Sequence, residues 1–186
     1  MDRTALIVVD VQKGFDDAEF FGTRNNPACE ANVSALIAGW RGAREPVVFV
    51  RHHWDQQGSP LRSDEAGSEF KDVLDGDPDL LVTKTVHSAF HGDPDLGAWL
   101  RSEEVGTLVV CGIQTNVCCE TTARIGSDLG FEVGFAIDAT HTFDQDDHAG
   151  GVITADELAR VTHSNLDPEF GPVLSTEEAI GELSST

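Results

Sequence analysis

Positive charge is scarce in this sequence of 186 residues, which has 12 Lys and Arg against 33 Asp and Glu. The formal net charge is −21 at pH 7. A surface of this sign repels the phosphates of nucleic acids and of anionic membranes. We therefore predict neither a nucleic-acid partner nor a membrane partner, and we attribute the excess of carboxylates to solvation of the surface.

Targeting segments, long apolar runs and paired cysteines are also missing. No basic segment followed by an apolar one opens the chain, and no apolar run approaches the roughly 20 residues that span a bilayer. We expect the mature chain to begin near Met1 and to be cytoplasmic. No Cys-x-x-Cys spacing occurs, and a disulfide framework is rare at this size, so we expect reduced thiols. The cysteines are Cys29, Cys111, Cys118 and Cys119.

Short apolar runs alternate with helical patterns along the whole chain. The runs lie at 6–11, 46–50, 80–85, 107–111, 133–137 and 172–174. Apolar centres of this kind are typical of strands that a parallel sheet buries on both faces. Because no repeat and no long linker divides the chain, we predict a single α/β domain over residues 1–186. Its open parallel sheet would have about six strands, with helices on both faces.

Polar or reactive residues stand at or soon after the ends of five of these runs. They are Asp10, His52, Lys84, Cys118 and Asp138. In open parallel sheets, ligands bind outside the carboxyl ends of the strands. The pattern therefore predicts an active site at this edge of the sheet.

The segment LVVCGIQTNVCCETTAR, residues 108–124, is typical of a buried strand, a tight loop and the first turn of a helix. Cys118 would then lie where free N–H groups and the helix dipole favour a thiolate, which makes it the candidate nucleophile. Asp10 could accept its proton, and Lys84 could stabilise the charges. Taken singly, each could be structural: a strand-end cap, a solvated amine and a small buried hydrophobe. Cys119 is assigned to helix packing.

Three motifs together resemble one known family. Asp10 within VVDVQ, Lys84 followed four residues later by Ser-Ala-Phe, and the segment GIQTNVCCETTAR are similar to the isochorismatase-like cysteine hydrolases. This family includes nicotinamidases, N-carbamoylsarcosine amidohydrolases and ureidoacrylate-type amidohydrolases. The resemblance extends from residue 6 to about residue 165.

The resemblance implies hydrolysis of a small-molecule C–N bond, in an amide, imide or carbamoyl group, through an acyl-enzyme on Cys118. Asp10 would be the general base and then the general acid, and Lys84 would stabilise charge. The backbone N–H groups of Gln114 and Cys118 would form the oxyanion hole. The resemblance also implies a non-proline cis peptide between Ile113 and Gln114, and a homo-oligomer.

Several residues beside the strand ends are candidates for the substrate pocket, with core, lid or loop packing as the alternative for each. They are Gln12, Phe15, His52, Trp54 and Phe90.

Histidines near the same edge could instead suggest a metal, since imidazoles suit zinc or iron. The possible ligands are His52, His53, Asp55, His87 and His91. In the nicotinamidases of this family, an Asp and a His two residues apart follow the second strand and help to hold a metal. This sequence reads HHWD there, which lacks the Asp-x-His pattern. We therefore predict no metal and no cofactor.

Two other functions stay open. One is isochorismate-type hydrolysis of a vinyl ether, which needs no cysteine and would use Asp10 as the general acid. The other is a non-catalytic small-molecule binder or thiol sensor on the same fold. The presence of Cys118 favours C–N hydrolysis, whereas the identity of the substrate does not follow from the sequence.

Overall fold

The computed structural model describes residues 3–183 and contains one large parallel sheet. Its strands are β1 (Arg3–Val9), β2 (Val47–His52), β3 (Leu80–Lys84), β4 (Val105–Ile113), β5 (Glu132–His141) and β8 (Val173–Leu174). They stand in the order β3-β2-β1-β4-β5-β8, and every neighbouring pair is parallel. A separate antiparallel hairpin pairs β6 (Gln145–Asp146) with β7 (Val152–Ile153). The predicted parallel sheet of six strands is confirmed.

Helices cover both faces of this sheet, as predicted. They are α1 (Ala18–Phe21), α2 (Cys29–Ala43), α3 (Leu96–Ser102), α4 (Glu120–Asp128), α5 (Ala155–Leu166) and α6 (Thr176–Leu183). Apolar residues of α2 and α6 belong to the core on one face, and those of α3, α4 and α5 belong to the core on the other. Across residues 3–183, no helix combines the length and the apolar character that crossing a membrane requires.

Both faces of the central strand β1 are buried, which explains why apolar and polar residues do not alternate along it. Ile7 and Val9 face the core under α3, α4 and α5, whereas Leu6 and Val8 face the core under α2. All four side chains are fully buried. Burying each one contributes about 1.5–3 kcal/mol, so both faces of the strand must be apolar.

Helix α2 begins later than the sequence pattern predicts. The pair Asn26-Pro27 is typical of an N-cap and a first helical residue. Asn26 instead has a φ of 44° and donates its side-chain amide to the carbonyls of Asp138 and Thr140, at 2.8 and 2.6 Å. The loop before α2 is therefore fastened to β5, and the helix starts at Cys29. It ends where Arg44 turns into the left-handed region, with a φ of 63°.

Strand β5 is longer than predicted, and this corrects the assignment of Asp138 to the active edge. The strand continues to His141. Asp138 lies inside it, and its carboxylate accepts hydrogen bonds from the backbone N–H and the hydroxyl of Thr176, both at 2.8 Å. Asp138 thus holds the first turn of α6.

The helices α5 and α6 begin with capping pairs that have the Ser/Thr-x-x-Glu spacing in the sequence. Thr154 and Glu157 form the reciprocal hydrogen bonds of a capping box at the start of α5. Ser175 and Glu178 make the same reciprocal pair before α6. These interactions are local in the chain, which is why the spacing alone predicted them.

Gly112 brings the end of β4 close to the end of β1. Its φ is 119°, and a Cβ at this position would overlap the carbonyl oxygen of Val9. Only glycine adopts such a conformation at no steric cost. The close approach sets the loop after β4 beside Asp10, which follows β1 with a φ of 53°.

Candidate active site

Asp10, Lys84 and His52 form a buried, hydrogen-bonded group at the carboxyl ends of β1, β3 and β2. The ammonium of Lys84 donates to Asp10 Oδ2 at 2.6 Å and lies 2.9 Å from His52 Nδ1. Lys84 is two strands away from Asp10, so its long side chain crosses the end of β2. His52 ends β2 directly beside Lys84 in the strand register and supplies the hydrogen-bond acceptor on the way.

Burial and pairing determine the protonation of these groups. Burial raises the pKa of Asp10, and attraction to Lys84 opposes the rise without cancelling it. Burial alone would lower the pKa of Lys84, but its attraction to Asp10 and Cys118 and its hydrogen bonds to both leave it raised. Burial and the charge of Lys84 lower the pKa of His52 to about 3, so this imidazole is neutral and accepts from the ammonium.

One oxygen of the Asp10 carboxylate has no partner. Oδ1 is buried and accepts no hydrogen bond from any residue that the structure describes. A buried oxygen in this state costs about 1–3 kcal/mol, which is a reason to look for a proton donor that reaches it. The thiol of Cys118 lies close to Asp10, with ligand atoms of the two residues within 4.8 Å of each other, and it opposes the rise in the pKa of Asp10.

Cys118 lies in a turn of π-helix, Thr115–Cys119, between β4 and α4. Helix α4 itself begins at Glu120, so Cys118 precedes the regular helix. The peptide between Ile113 and Gln114 is cis, as the family resemblance implies. Such single π-turns occur often at functional sites.

The burial of Cys118 favours the thiol, whereas the sequence pattern favours a thiolate. Its side chain is 6% exposed, and burial raises its pKa to about 12. The carboxylate of Asp10 raises this pKa further, whereas Lys84 lowers it. The sequence pattern correctly showed the helix start but not how deeply the sulfur is buried.

Hydroxyl groups fasten the turn that carries Cys118 to the end of β5. Thr115 donates to the hydroxyl of Thr140 at 2.8 Å, and Thr142 donates to the side-chain carbonyl of Asn116. No local pattern in the sequence indicates this pairing, because the two segments are about 25 residues apart.

A cavity of about 470 Å³ opens above Cys118. Three of the residues predicted to line it do so, namely Phe15, His52 and Trp54. Gln114 and Cys118, the proposed oxyanion donors, lie on it as well. The sequence reading missed the remaining lining residues, which are Phe21, Leu61, Thr85, Val86, His87 and Val117.

Gln12 and Phe90 do not line this cavity, contrary to the prediction. Gln12 is fully buried, and its side-chain amide accepts from the N–H of His52 at 2.8 Å and donates to the carbonyl of His52 at 3.0 Å. It therefore fixes the backbone at the end of β2. Phe90 packs on Phe131, with ring centroids 5.8 Å apart, because its short helical turn directs it towards α4 and β5.

The donor atoms near Cys118 do not fit a metal ion. Asp10, His52 and Cys118 each offer one ligand atom, and these atoms lie within 4.8 Å of one another. The ammonium of Lys84 already contacts two of the three residues. A metal cation there would stand against a fixed positive charge. In the part of the chain that the structure describes, the other predicted ligands His53, Asp55 and His91 join no such group.

A second, partly buried group of charged residues lies near the same edge of the sheet, and we call it the Glu30 cluster. It consists of Asp16, Arg24, Glu30 and Lys71. Arg24 donates to both oxygens of Glu30, at 2.7 and 2.8 Å, and Lys71 donates to Glu30 and to Asp16, both at 2.7 Å. The cluster joins α2 to the loop that carries Phe15, so it supports one wall of the cavity.

Sequence comparison places this arrangement in a known family. The model of the isochorismatase domain matches residues 4–178. The isochorismatase family protein YrdC of Bacillus subtilis (strain 168) is 33% identical, with 100% of this chain and 98% of that protein covered. Nicotinamidase 3 of Arabidopsis thaliana is 33% identical over 77% of this chain and 76% of its own length. The ureidoacrylate amidohydrolase RutB of Methylobacterium radiotolerans is 30% identical over 96% and 80%.

Solved structures agree with this assignment. An isochorismatase-family hydrolase from Chromobacterium violaceum superposes with a TM-score of 0.92 at 31% identity, covering 100% of this chain and 96% of the other. A cysteine hydrolase from Pseudomonas syringae pv. phaseolicola gives a TM-score of 0.87 at 31% identity, covering 98% and 93%. This chain belongs to the isochorismatase family of hydrolases.

Proposed function

We propose that this chain hydrolyses the C–N bond of a small, uncharged amide, imide or carbamoyl compound through an acyl-enzyme on Cys118. One observation carries the proposal: the sulfur of Cys118 faces a cavity on one side and the under-paired carboxylate of Asp10 on the other. This is the arrangement that a nucleophile and its base require.

In the first step, the thiol gives its proton to Asp10 as the sulfur attacks the carbonyl carbon of the substrate. Asp10 Oδ1 is the acceptor because Oδ2 is held by Lys84. The raised pKa of Asp10 brings it closer to that of a useful general base. Lys84 keeps its charge throughout and stabilises the thiolate as it forms.

The attack places negative charge on the former carbonyl oxygen. The backbone N–H groups of Gln114 and Cys118 are the proposed donors for this oxyanion, and loss of one such donor typically lowers the rate about 10²–10³-fold. Asp10 then returns its proton to the leaving nitrogen, and the C–N bond breaks. The acyl group remains on Cys118 as a thioester.

The residues that line the cavity and the net charge of the protein both favour an uncharged substrate. Among the described residues that line the cavity, none carries a carboxylate, a guanidinium or an ammonium group. The net charge of −21 also repels anions before they arrive. Six of the lining residues are apolar or aromatic, so the acyl part of the substrate would be mainly apolar: Phe15, Phe21, Trp54, Leu61, Val86 and Val117.

The named relatives support a C–N bond as the target. Two of them are called nicotinamidase and ureidoacrylate amidohydrolase, and one structural neighbour is called a cysteine hydrolase. Their identity to this chain is 30–33%, which supports the reaction class and leaves the substrate to experiment.

Replacing each of the two adjacent cysteines tests the proposal. We expect Cys118→Ala to lower turnover of a responsive substrate from a panel of uncharged carboxamides, imides and carbamoyl compounds by about 10⁴-fold or more. Cys119→Ala should retain turnover within about tenfold, because this thiol is fully buried in the core and does not line the cavity. Intact-mass spectrometry should show an acyl adduct in the wild type and in Cys119→Ala.

Equal losses in the two variants would contradict the assignment of Cys118. Activity that survives Cys118→Ala would favour vinyl ether hydrolysis with Asp10 as the acid. No turnover and no adduct across the panel would favour a binding or sensing role.

A further inference from the structure

We infer that His52 is a positioning residue, whose neutral imidazole accepts a hydrogen bond from the Lys84 ammonium and so directs that ammonium at the sulfur of Cys118. The inference rests on the proposed function, because it concerns how the thiol is activated in the first step. In the sequence, His52 is a candidate only for the substrate pocket or for a metal site. In the structure, its ring contacts Lys84 and its backbone is held by a buried side chain.

The Lys84 ammonium has three N–H groups, and the structure accounts for two of them. One donates to Asp10 Oδ2 at 2.6 Å, and another donates to His52 Nδ1 at 2.9 Å. Although burial lowers the pKa of Lys84, attraction to Asp10 and to Cys118 leaves it raised, so the ammonium also interacts with the thiol. The third N–H is therefore the one available to the sulfur.

Gln12 fixes the position of His52. The side-chain amide of Gln12 accepts from the N–H of His52 at 2.8 Å and donates to its carbonyl at 3.0 Å. The backbone N–H of Gln12 in turn donates to the carbonyl of Asp10 at 2.8 Å. The loop that supplies the proposed base thus also holds the end of β2. Since His52 stands beside Lys84 in the strand register, the ends of three strands are joined.

The contacts of the imidazole determine which ring nitrogen carries the proton. An ammonium can only donate, so Nδ1 of His52 is the acceptor and the proton belongs on Nε2. Burial lowers the pKa of His52 to about 3, and the backbone of Val86 opposes this effect by accepting a hydrogen bond from the ring. His52 is therefore a neutral acceptor with a fixed tautomer.

A neutral acceptor suits this position better than a charged one. A second carboxylate beside Lys84 would also accept its hydrogen bond, but it would add to the rise in the pKa of Cys118 that burial and Asp10 cause. With no acceptor at all, one buried N–H of Lys84 would lose its partner, and the flexible side chain would lose the contact that orients it. Either change should make the thiol harder to deprotonate.

Two substitutions separate the acceptor from the volume of the ring. In His52→Asn, the amide oxygen is as many bonds from the backbone as Nδ1, so it can accept from Lys84. In His52→Gln, the amide is one bond further away, as Nε2 is, and the side chain is closer to imidazole in size. We expect Cys118 to react within about tenfold of the wild-type rate in His52→Asn and about 10²-fold more slowly in His52→Gln. A packing role predicts the opposite order.

Two reagents measure the reaction of Cys118 without knowledge of the natural substrate. Acetylation by 4-nitrophenyl acetate is followed from release of 4-nitrophenolate and uses the oxyanion hole. Alkylation by iodoacetamide is followed by mass spectrometry at Cys118 and depends on the thiol but not on that hole. Both rates should fall in the same order, because His52 acts on the sulfur through Lys84. Thermal unfolding checks that each variant is folded.

His52→Asp tests whether the acceptor must be neutral, because it differs from His52→Asn in charge. Its carboxylate should slow both reactions by about tenfold or more relative to His52→Asn, since it raises the pKa of the thiol. His53→Gln is the matched control, because His53 is the next residue in the chain and does not line the cavity. Both reactions of His53→Gln should stay within about threefold of the wild type.

Equal rates in His52→Asn and His52→Gln, or a faster reaction in His52→Gln, would overturn the role of His52. Reaction of His52→Asp as fast as that of His52→Asn would overturn it too, and so would slower acetylation with unchanged alkylation, which would assign His52 to contact with the ester. Failure of the wild type to acquire an acetyl group on Cys118 would contradict the proposed function, whereas the order of the alkylation rates would still decide the inference.

Discussion

Asp10, which is fully buried, and Glu30, which is partly buried, are two carboxylates near one edge of the sheet that differ in how completely their oxygens are paired. Glu30 receives hydrogen bonds on both oxygens, two from Arg24 and one from Lys71. Asp10 receives one from Lys84 on Oδ2, and its Oδ1 is left without a described partner. Burial raises the pKa of both groups, but the hydrogen bonds to Glu30 outweigh burial and hold its pKa far below 4.5, whereas the pKa of Asp10 stays raised above 3.8.

The difference separates a structural carboxylate from a reactive one. A fully paired carboxylate holds its charge and joins the segments that donate to it, here α2 and the loops at Arg24 and Lys71. An under-paired carboxylate can still accept a proton, and its burial makes that proton transfer more favourable. A carboxylate thus stabilises the fold at Glu30 and, by our proposal, takes part in catalysis at Asp10.

The largest effect is expected from removing the proton-accepting ability of Asp10. Asp10→Asn keeps the shape of the side chain and should slow acetylation of Cys118 by 4-nitrophenyl acetate by about 10²–10⁴-fold. The rate is measured from release of 4-nitrophenolate, and thermal unfolding checks that the variant is folded.

Asp138→Asn is the matched control for Asp10→Asn. The Asp138 carboxylate accepts from Thr176 through Oδ1, and an Asn carbonyl oxygen can do the same. Acetylation should therefore proceed at the wild-type rate. Similar losses in both variants would mean that the two carboxylates had been assigned the wrong roles.

A stability effect is expected from Glu30→Gln. The change leaves Arg24 and Lys71 without their shared anion and should lower the free energy of unfolding by about 3 kcal/mol at pH 7. The measurement is urea denaturation. Glu69→Gln is the control, because Glu69 pairs with Lys13 at the exposed surface and should cost at most about 1 kcal/mol.

The contributions of the two carboxylates to folding stability should depend on pH with opposite signs. Because the pKa of Glu30 is lowered in the folded protein, its stabilisation of the fold is complete above pH 4.5, the ordinary pKa of a glutamate. This stabilisation is lost as the pH falls through the pKa of Glu30 in the folded protein. Because the pKa of Asp10 is raised in the folded protein, its stabilisation of the fold is complete below pH 3.8, the ordinary pKa of an aspartate. This stabilisation is lost as the pH rises through the pKa of Asp10 in the folded protein. The destabilisation by Glu30→Gln should therefore shrink in acid, whereas Asp10→Asn should become less stable relative to wild type in acid. If the stabilities of both variants relative to wild type changed in the same direction with pH, the different roles of Glu30 and Asp10 would be refuted.

The smallest effect is expected at His141, the buried imidazole beside the Glu30 cluster. Neither of its ring nitrogens has a hydrogen-bond partner among residues 3–183, and Glu30 Oε1 is 4.0 Å away. His141→Leu should raise the free energy of unfolding by about 1 kcal/mol, because it removes unpaired buried polar atoms. His163→Leu, at an exposed position on α5, should change it by less than about 0.5 kcal/mol. Destabilisation by His141→Leu would show that the imidazole has a partner.

The sequence predicted the sheet, the caps of α5 and α6 and the strand-end positions of Asp10, His52 and Lys84 because their signals are local. An apolar run that ends in Asp10 or Lys84 can be read without knowing what lies beside it. It was wrong about Asp138 and Phe90 because a position near a strand end does not say where the side chain points. In the structure, Asp138 is drawn to α6 and Phe90 to Phe131.

The sequence alone determined the α/β sheet, its polar edge and the presence of a thiol, a carboxylate and an ammonium at that edge. These properties follow from the period and the ends of apolar segments. Only the tertiary structure decided that Oδ1 of Asp10 has no hydrogen-bond donor among the described residues, that the sulfur of Cys118 is buried and that His87 Nδ1 lies 3.9 Å from it. Pairing and pKa depend on distances between residues that are far apart in the chain, and those distances exist only once the strands have assembled.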